Sequence, residues 1–220
     1  MAKEKRGPYK KSVERRSAIL RAALEAYAES DAGGPTLQAI ADKVGLTQTA
    51  LLHYFPNRQE LFLGVVRVRD DRDRFRAPDE SLSPEDFHRL GQLIARNAET
   101  PGLVRLYLEQ AVAGAAPTHP AHAYFRDRYQ SFVDGLAEGL LAAKGLSQDQ
   151  AAWLARILIA AADGLQIQWL YDSDISMASD LGRLVDLAVA ASRGRPGPTG
   201  APEPRSGRQS RAGSPPPAEG

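Results

Sequence analysis

A chain of 220 residues, 43% hydrophobic and 25% charged, has room for one large domain or two small ones with a real interior. It holds no cysteine, which excludes disulfides, thiolate catalysis and cysteine-bound metals. The net charge of +1 hides an uneven distribution: residues 1–16 carry seven basic and two acidic side chains, residues 193–220 five and two, and the stretch between them a net −7. A basic end on an acidic body is the asymmetry expected where that end meets a polyanion.

The apolar residues recur at spacings of three and four, without the alternation of a strand, so the expected fold class is all-α. Residues 1–11 read as a basic flexible arm in which Lys10 and Lys11 can neutralise phosphate. Ser12 can cap a first helix whose stripe is Ile19, Leu20, Ala23, Leu24 and Tyr27, and Gly33-Gly34-Pro35 breaks it. Two short helices over 36–44 and 47–55 follow, reversing at Gly45. Asn57 with Glu60 three residues later has the spacing of a capping box, ahead of a buried face of Leu61, Phe62, Val65 and Val66.

The alternating charges of residues 67–76 read as a solvated helix end, and 77–84 as a loop from which Ser83-Pro84 opens the next helix. Pro101-Gly102 separates that helix from a segment over 103–113. A longer helix starts around 117–120 and is stopped by Gly145, another spans 147–171, and the last covers 177–192. Residues 193–220, rich in Pro, Gly, Ser and Arg, read as a disordered tail.

The helix at 147–171 is apolar over more than one face: between Ala151 and Leu170 its only charges are Arg156 and Asp163. Such a helix must be covered on several sides, one by its own core and one by a second copy. A homodimeric helical bundle is therefore expected, with Trp153, Ile157, Ala161, Gly164 and Leu165 meeting the partner beside Leu184 and Leu187 of the last helix. A central helix of a monomeric bundle is the alternative.

The segment from Thr36 to Phe55 has the pattern of a helix-turn-helix. Thr36 caps the first helix, and Leu37, Ile40, Ala41 and Val44 form its inner face. Ala41 sits where the helices cross, and Gly45 stands where a left-handed backbone is cheapest. Leu46 fills the gap below the turn, Thr47 caps the second helix, and Ala50, Leu51 and Tyr54 face inward. The outward residues are then Thr47, Gln48, Thr49, Leu52 and His53. In the major groove Gln48 can pair with adenine, and Thr47 and Thr49 can meet phosphate or a thymine methyl. His53 suits a phosphate, as do Asn57 and Arg58 at the start of the following helix.

This stretch resembles the TetR family of bacterial regulators, through Thr36-Leu-x-x-Ile-Ala-x-x-Val-Gly-Leu-Thr47, then Leu-Leu-His-Tyr-Phe55 and Asn57-Arg-Gln-Glu-Leu61. The resemblance implies a three-helix DNA-binding domain, here 12–57, joined to a helical effector-binding and dimerising domain, here 58–192. Most such regulators are repressors released from a palindromic operator by a small molecule. The family has an acidic residue where this chain has Ala39, a tyrosine at Leu52 and a lysine at Arg58, so Leu52 inherits no phosphate contact. Residues 119–129 and 163–170 resemble the C-terminal domain of the choline-responsive betaine regulators, which adds an effector cavity without naming the effector. Tyr107, Gln110, Phe125, Tyr129 and Trp169 are the candidate lining.

The charged N-terminus lacks a signal peptide's apolar stretch, and no run of about 18 apolar residues is present to span a membrane. The expected location is cytoplasmic. His53, His88, His119 and His122 form no helix-face pair with a carboxylate at metal spacing, and no phosphate loop or nucleophile elbow is present, so no enzyme, metal or cofactor is expected. A protein–protein adaptor or an uncharacterised helical enzyme with a vestigial helix-turn-helix are the competing readings. The expected partners are double-stranded operator DNA, a second copy of the chain and an unidentified small-molecule effector.

Overall fold

The computed structural model describes residues 8–31, 33–72, 94–144 and 146–193. Its regular elements are helices: α1 (Pro8–Ala28), α2 (Leu37–Lys43), α3 (Gln48–Leu52), α4 (Arg58–Arg72), α5 (Pro101–Ala113), α6 (His122–Lys144), α7 (Gln148–Tyr171) and α8 (Met177–Arg193). A further helical turn covers 94–97. No strand occurs among the described residues, in keeping with an all-α chain. None of these helices is long and apolar enough to cross a membrane.

α1 begins at Pro8, four residues before the expected cap at Ser12, because proline at the start of a helix has the required φ and no N–H to leave unpaired. Lys10 and Lys11 therefore ride exposed on a helix instead of a flexible arm, whose remaining residues lie outside the described ones. Ile19, Ala23, Leu24, Ala26 and Tyr27 are buried along one side. At the other end the Ser30 hydroxyl donates to the Tyr27 carbonyl at 2.9 Å, and Gly34 takes a positive φ of 71°. One of the helix's orphan carbonyls is thus satisfied within the turn that ends it.

Two hydrophobic clusters hold the molecule together. The first runs from Ile19 through Ile40, Ala41, Leu51 and Leu61 to Leu103, Tyr107 and Phe125. It crosses the boundary drawn from sequence at residues 57–58, because Leu61, Leu63, Val65 and Val66 are buried on several sides of α4 at once. α4 packs on α1 on one side and on α5 on the other. The second cluster joins Val104 of α5, Leu136 and Leu140 of α6, Leu154 and Leu158 of α7, and Met177 and Leu181 of α8. α6 and α7 make the most extensive helix pair.

Ser147 caps α7 with both halves of a capping box: Gln150 N–H donates to the Ser147 hydroxyl at 3.3 Å and Ser147 N–H to the Gln150 side chain at 2.9 Å. The helix is not covered all round. Trp153, Ile157, Ile167 and Tyr171 are exposed at helical spacing, Tyr171 at 91%, and Leu187 of α8 at 70%. Ala161 and Leu165, by contrast, lean half-buried on the chain's own second cluster, as does Leu184. Gly164 is half-buried, and a Cβ added there would meet nothing within 4 Å.

The loop expected at 77–84, most of the helix expected after Ser83-Pro84, Gly145 and the tail beyond Arg193 lie outside the described residues. The solvated helix end expected at 67–76 holds for Arg67, Asp71 and Arg72, which are exposed, and fails at two positions. Arg69 and Asp70 are buried, at 6% and 7% exposure, with Asn97 of the 94–97 turn as partner of the first and Arg128 of α6 as partner of the second.

Candidate functional site

α2 and α3 form the expected reversal. Ala39 N–H donates to the Thr36 hydroxyl oxygen at 3.1 Å, and Ala50 N–H to that of Thr47 at 3.1 Å, so each helix opens on a threonine cap. Both hydroxyls keep a hydrogen to donate outward. Gly45 has φ 64°, and Leu46 N–H returns to the Ala41 carbonyl at 3.0 Å. Arg15 of α1 donates to the Val44 carbonyl at 2.7 Å, tying the turn to the first helix. Ala41 is fully buried at the crossing.

α3 is shorter than expected, with residues 53–55 continuing as turns whose N–H groups reach back three or four residues. Thr47, Gln48, Thr49 and His53 are exposed. Leu52 is instead half-buried against the first cluster, so the tightened last turn takes it out of the outward set, while Tyr54 packs there half-buried as expected of an inward residue. The Asn57 side chain accepts from Glu60 N–H at 2.8 Å and caps α4. The exposed Arg58 follows, its guanidinium 5.0 Å from the Phe62 ring centre. Arg16 lies 4.7 Å from the ring centre of Phe55. These stacks hold two cations at fixed places near α3, at a cost in rotamer freedom already met by packing.

A cavity of about 70 Å³ lies at the seam of the two clusters. Its polar lining is Arg69, Asn97, Tyr107, Arg128, Asp163 and Gln166, and its apolar wall includes Phe132, Leu136, Leu158 and Ala162. Of the five residues expected to line a pocket, Tyr107 does so. Phe125 and Tyr129 sit behind it in an aromatic group, the Phe125 ring centre 5.5 Å from that of Tyr107. Trp169 is buried in the second cluster. Gln110 is buried away from the cavity lining with its side-chain carbonyl oxygen unpaired. Rotation of about 100° per residue along a helix explains the miss: α6 turns Arg128 and Phe132 to the cavity, not Phe125 or Tyr129.

The cavity's charges are tied together across the helices. Arg69 donates to the Asn97 side chain at 2.5 Å. Arg128 donates to Asp70 at 2.7 Å and to the Tyr107 hydroxyl at 3.0 Å, and Tyr124 also donates to Asp70. Burial works against the charge on Arg128, but Tyr107 and Asp70 outweigh it and raise its pKa above the ordinary arginine value. Tyr129 donates to Asp163 at 2.6 Å. Burial raises the Asp163 carboxyl above its ordinary value, against the hydrogen bond from Tyr129 and the charge of Arg128.

A carboxyl that holds its proton more tightly folded than unfolded contributes stability that is complete below its ordinary pKa of 3.8 and lost as pH rises through the folded value. Asp163→Asn is therefore expected to gain melting temperature relative to the wild type as pH rises from roughly 4 to 7. A difference that stays flat over that range would show that the carboxyl is not desolvated.

Sequence reasoning missed Arg69, Asn97, Arg128 and Gln166. Asp163 carried a readable signal, as one of two charges in a twenty-residue apolar stretch. His119 and His122 serve local structure: His119 accepts from Ala121 N–H at 3.2 Å, and His122 Nδ1 is 2.8 Å from the Gly114 carbonyl oxygen. Among the described residues, no group of three or more His, Cys, Asp or Glu is placed to hold a metal.

Residues 19–65 match the family described as bacterial regulatory proteins, tetR family. The HTH-type transcriptional regulator RutR of Escherichia coli K12 is 31% identical over 107 residues, which cover 46% of this chain and 50% of RutR. The chain thus matches about half the length of its curated relatives. A transcriptional regulator from Rhodococcus sp. superposes with a TM-score of 0.58 at 19% identity, covering 80% of this chain and 95% of that one. The Thermus thermophilus TetR-family repressor FadR, solved with lauroyl-CoA, gives 0.55 at 21% identity over 85% of this chain and all of its own. At such identities these structures share the fold. Residues 19–65 thus form a helix-turn-helix that matches the tetR family of bacterial regulatory proteins, carried on a helical body with the fold of these two solved structures.

Proposed function

We propose that the chain is a transcriptional regulator that binds a palindromic operator as a homodimer, represses by occupying it, and is released by a small molecule in the seam cavity. The observation that carries this reading is the polar outward side of α3, with Thr47, Gln48, Thr49 and His53 exposed just ahead of Arg58 and the capped start of α4. That surface offers side chains for base edges, and cations and amides for phosphates. Lys10, Lys11 and Thr36 add donors from α1 and the start of α2.

The exposed stripe of Trp153, Ile157, Ile167 and Tyr171, with open space beside Gly164, supports pairing through α7, and Leu187 extends it on α8. The likeness of residues 119–129 and 163–170 to betaine regulators belongs to the same reading. In the dimer the two recognition helices would lie about one turn of DNA apart, roughly 34–36 Å. α4 supplies the route from cavity to DNA. Arg58 stands at one end, and Arg69, in the cavity wall, lies roughly 16 Å further along the axis. An effector shifts that helix only as far as its affinities for the two arrangements differ.

Competition binding tests the reading. Gln48→Ala is expected to lose about 1–3 kcal/mol on the operator and little on random duplex, while Arg58→Ala weakens both alike and lowers the salt slope by about one. Equal losses for Gln48→Ala on both duplexes would remove it as a base reader. Salt-independent binding by the wild type would remove the regulator reading itself.

A further inference from the structure

The seam cavity is rich in donors and poor in acceptors. Two guanidiniums, two primary amides and a phenol face it, against the single carboxylate of Asp163. Both Asp163 oxygens already accept from tyrosines, Oδ2 from Tyr129 at 2.6 Å and Oδ1 from Tyr107 at 3.4 Å. Asn97 spends one amide hydrogen on Gln166 and Gln166 one on the Ala162 carbonyl, which leaves each a second. A guanidinium presents five N–H groups and can serve several acceptors together. A ligand's carboxylate would share Arg69 with Asn97 and contend with Asp70 for Arg128.

A ligand made only of acceptors at one end complements such a lining. A cation would meet two guanidiniums in a low-dielectric space, and a neutral amide would bring donors that find no acceptor. The apolar wall of Phe132, Leu136, Leu158 and Ala162 asks for a short hydrocarbon body behind the polar end. Size sets the limit: a cavity about twice as large is what benzene, with its six heavy atoms, occupies in a protein core, so a carboxylate of about two or three carbons in all is the fit.

We propose that the effector is a compact monocarboxylate with a hydrocarbon body of about one or two carbons, its carboxylate held by Arg69 and Arg128. This rests on the ligand-responsive reading above and adds the chemical class. It also gives the response a cause. Arg128 reaches into the cavity and also holds Asp70 of α4, so a carboxylate arriving at Arg128 competes with Asp70 for the same guanidinium. Arg69, the neighbour of Asp70 on α4, is drawn to the ligand at the same moment. The bound state therefore favours a different setting of the helix whose other end carries Arg58.

Calorimetric titration of the full chain, without DNA, tests the proposal with acetate and propionate against propionamide and propylamine. Propionate is expected to bind at least about tenfold tighter than propionamide, and the amine not to bind. Asp163→Asn should tighten carboxylate binding severalfold by removing a like charge. Ala162→Leu, which fills the cavity without touching its charges, should abolish binding while melting cooperatively. The proposal is overturned if amide and carboxylate bind alike, if the amine is preferred, if no carboxylate binds at millimolar concentration, or if Asp163→Asn weakens the carboxylate. A chain that binds operator yet ignores every carboxylate loses this ligand class alone. A chain that binds propionate but no duplex loses the regulator reading.

Discussion

Replacing Asp70 by alanine is expected to cost about 3–5 kcal/mol, the range for removing one member of a buried ion pair. The side chains of Arg128 and Asp70 are 14% and 9% exposed, so water cannot take over when the carboxylate is gone. Arg128 would keep its charge, its contact with Tyr107 and its stacking 4.5 Å from the Phe132 ring centre, but lose its counter-ion. Tyr124 loses its acceptor in the same step. For a chain of this size the melting temperature should fall by roughly 10 °C. Asp70→Asn, which keeps an acceptor and drops the charge, should fall between. A change within about 1 °C for the alanine variant would mean the pair behaves as an exposed one, worth at most about 1 kcal/mol.

Gly102→Ala is the second large effect, and its sign opposes what helix propensity dictates. On propensity alone alanine would favour the start of α5 by about 1 kcal/mol. A Cβ at Gly102 would instead lie 2.1 Å from the Ser30 hydroxyl, 2.5 Å from the Tyr27 carbonyl oxygen and 2.9 Å from that of Asp31. Two of these three are backbone atoms, which no rotamer change can move aside. The end of α1 and the start of α5 must separate, for a loss of about 1–3 kcal/mol or more. Adding Ser30→Gly should recover only part of that loss, because the carbonyls remain. A Gly102→Ala variant that melts at or above the wild type would show that the two helix ends are free to part.

The α1–α5 contact has a counterpart in the chemistry of Tyr27. Burial pushes its phenol up to about 12, and the ring packs edge-on against Phe62 at 6.1 Å. The residue that ends the first helix's stripe thus also forms the floor on which α5 starts. The domain boundary drawn from sequence at 57–58 follows the chain's motifs, whereas the core passes straight through it.

Much of the helix-turn-helix was legible in the residues themselves. Thr36, Thr47 and Asn57 cap the helices they were expected to cap, and Gly45 has the positive φ its place required. Each of these signals acts over three or four positions, within reach of a reading of local spacing. Leu52 escaped that reading because α3 closes into turns early, and hydrogen bonds set that choice instead of periodicity. Lys10 and Lys11 escaped it because basic residues mark an arm and an exposed helix face equally well.

The amino-acid order alone determined the helical class, the reversal at Gly45 and the outward placing of Gln48, since caps, glycine and apolar spacing are properties of near neighbours. The tertiary structure alone decided the seam cavity and the burial of Arg69 and Asp70. Their partners Asn97 and Arg128 lie 28 and 58 positions away, and a charge's burial depends on which distant helix covers it. In an alternating run such as 67–72, solvated and buried charges look identical until α5 and α6 close over them.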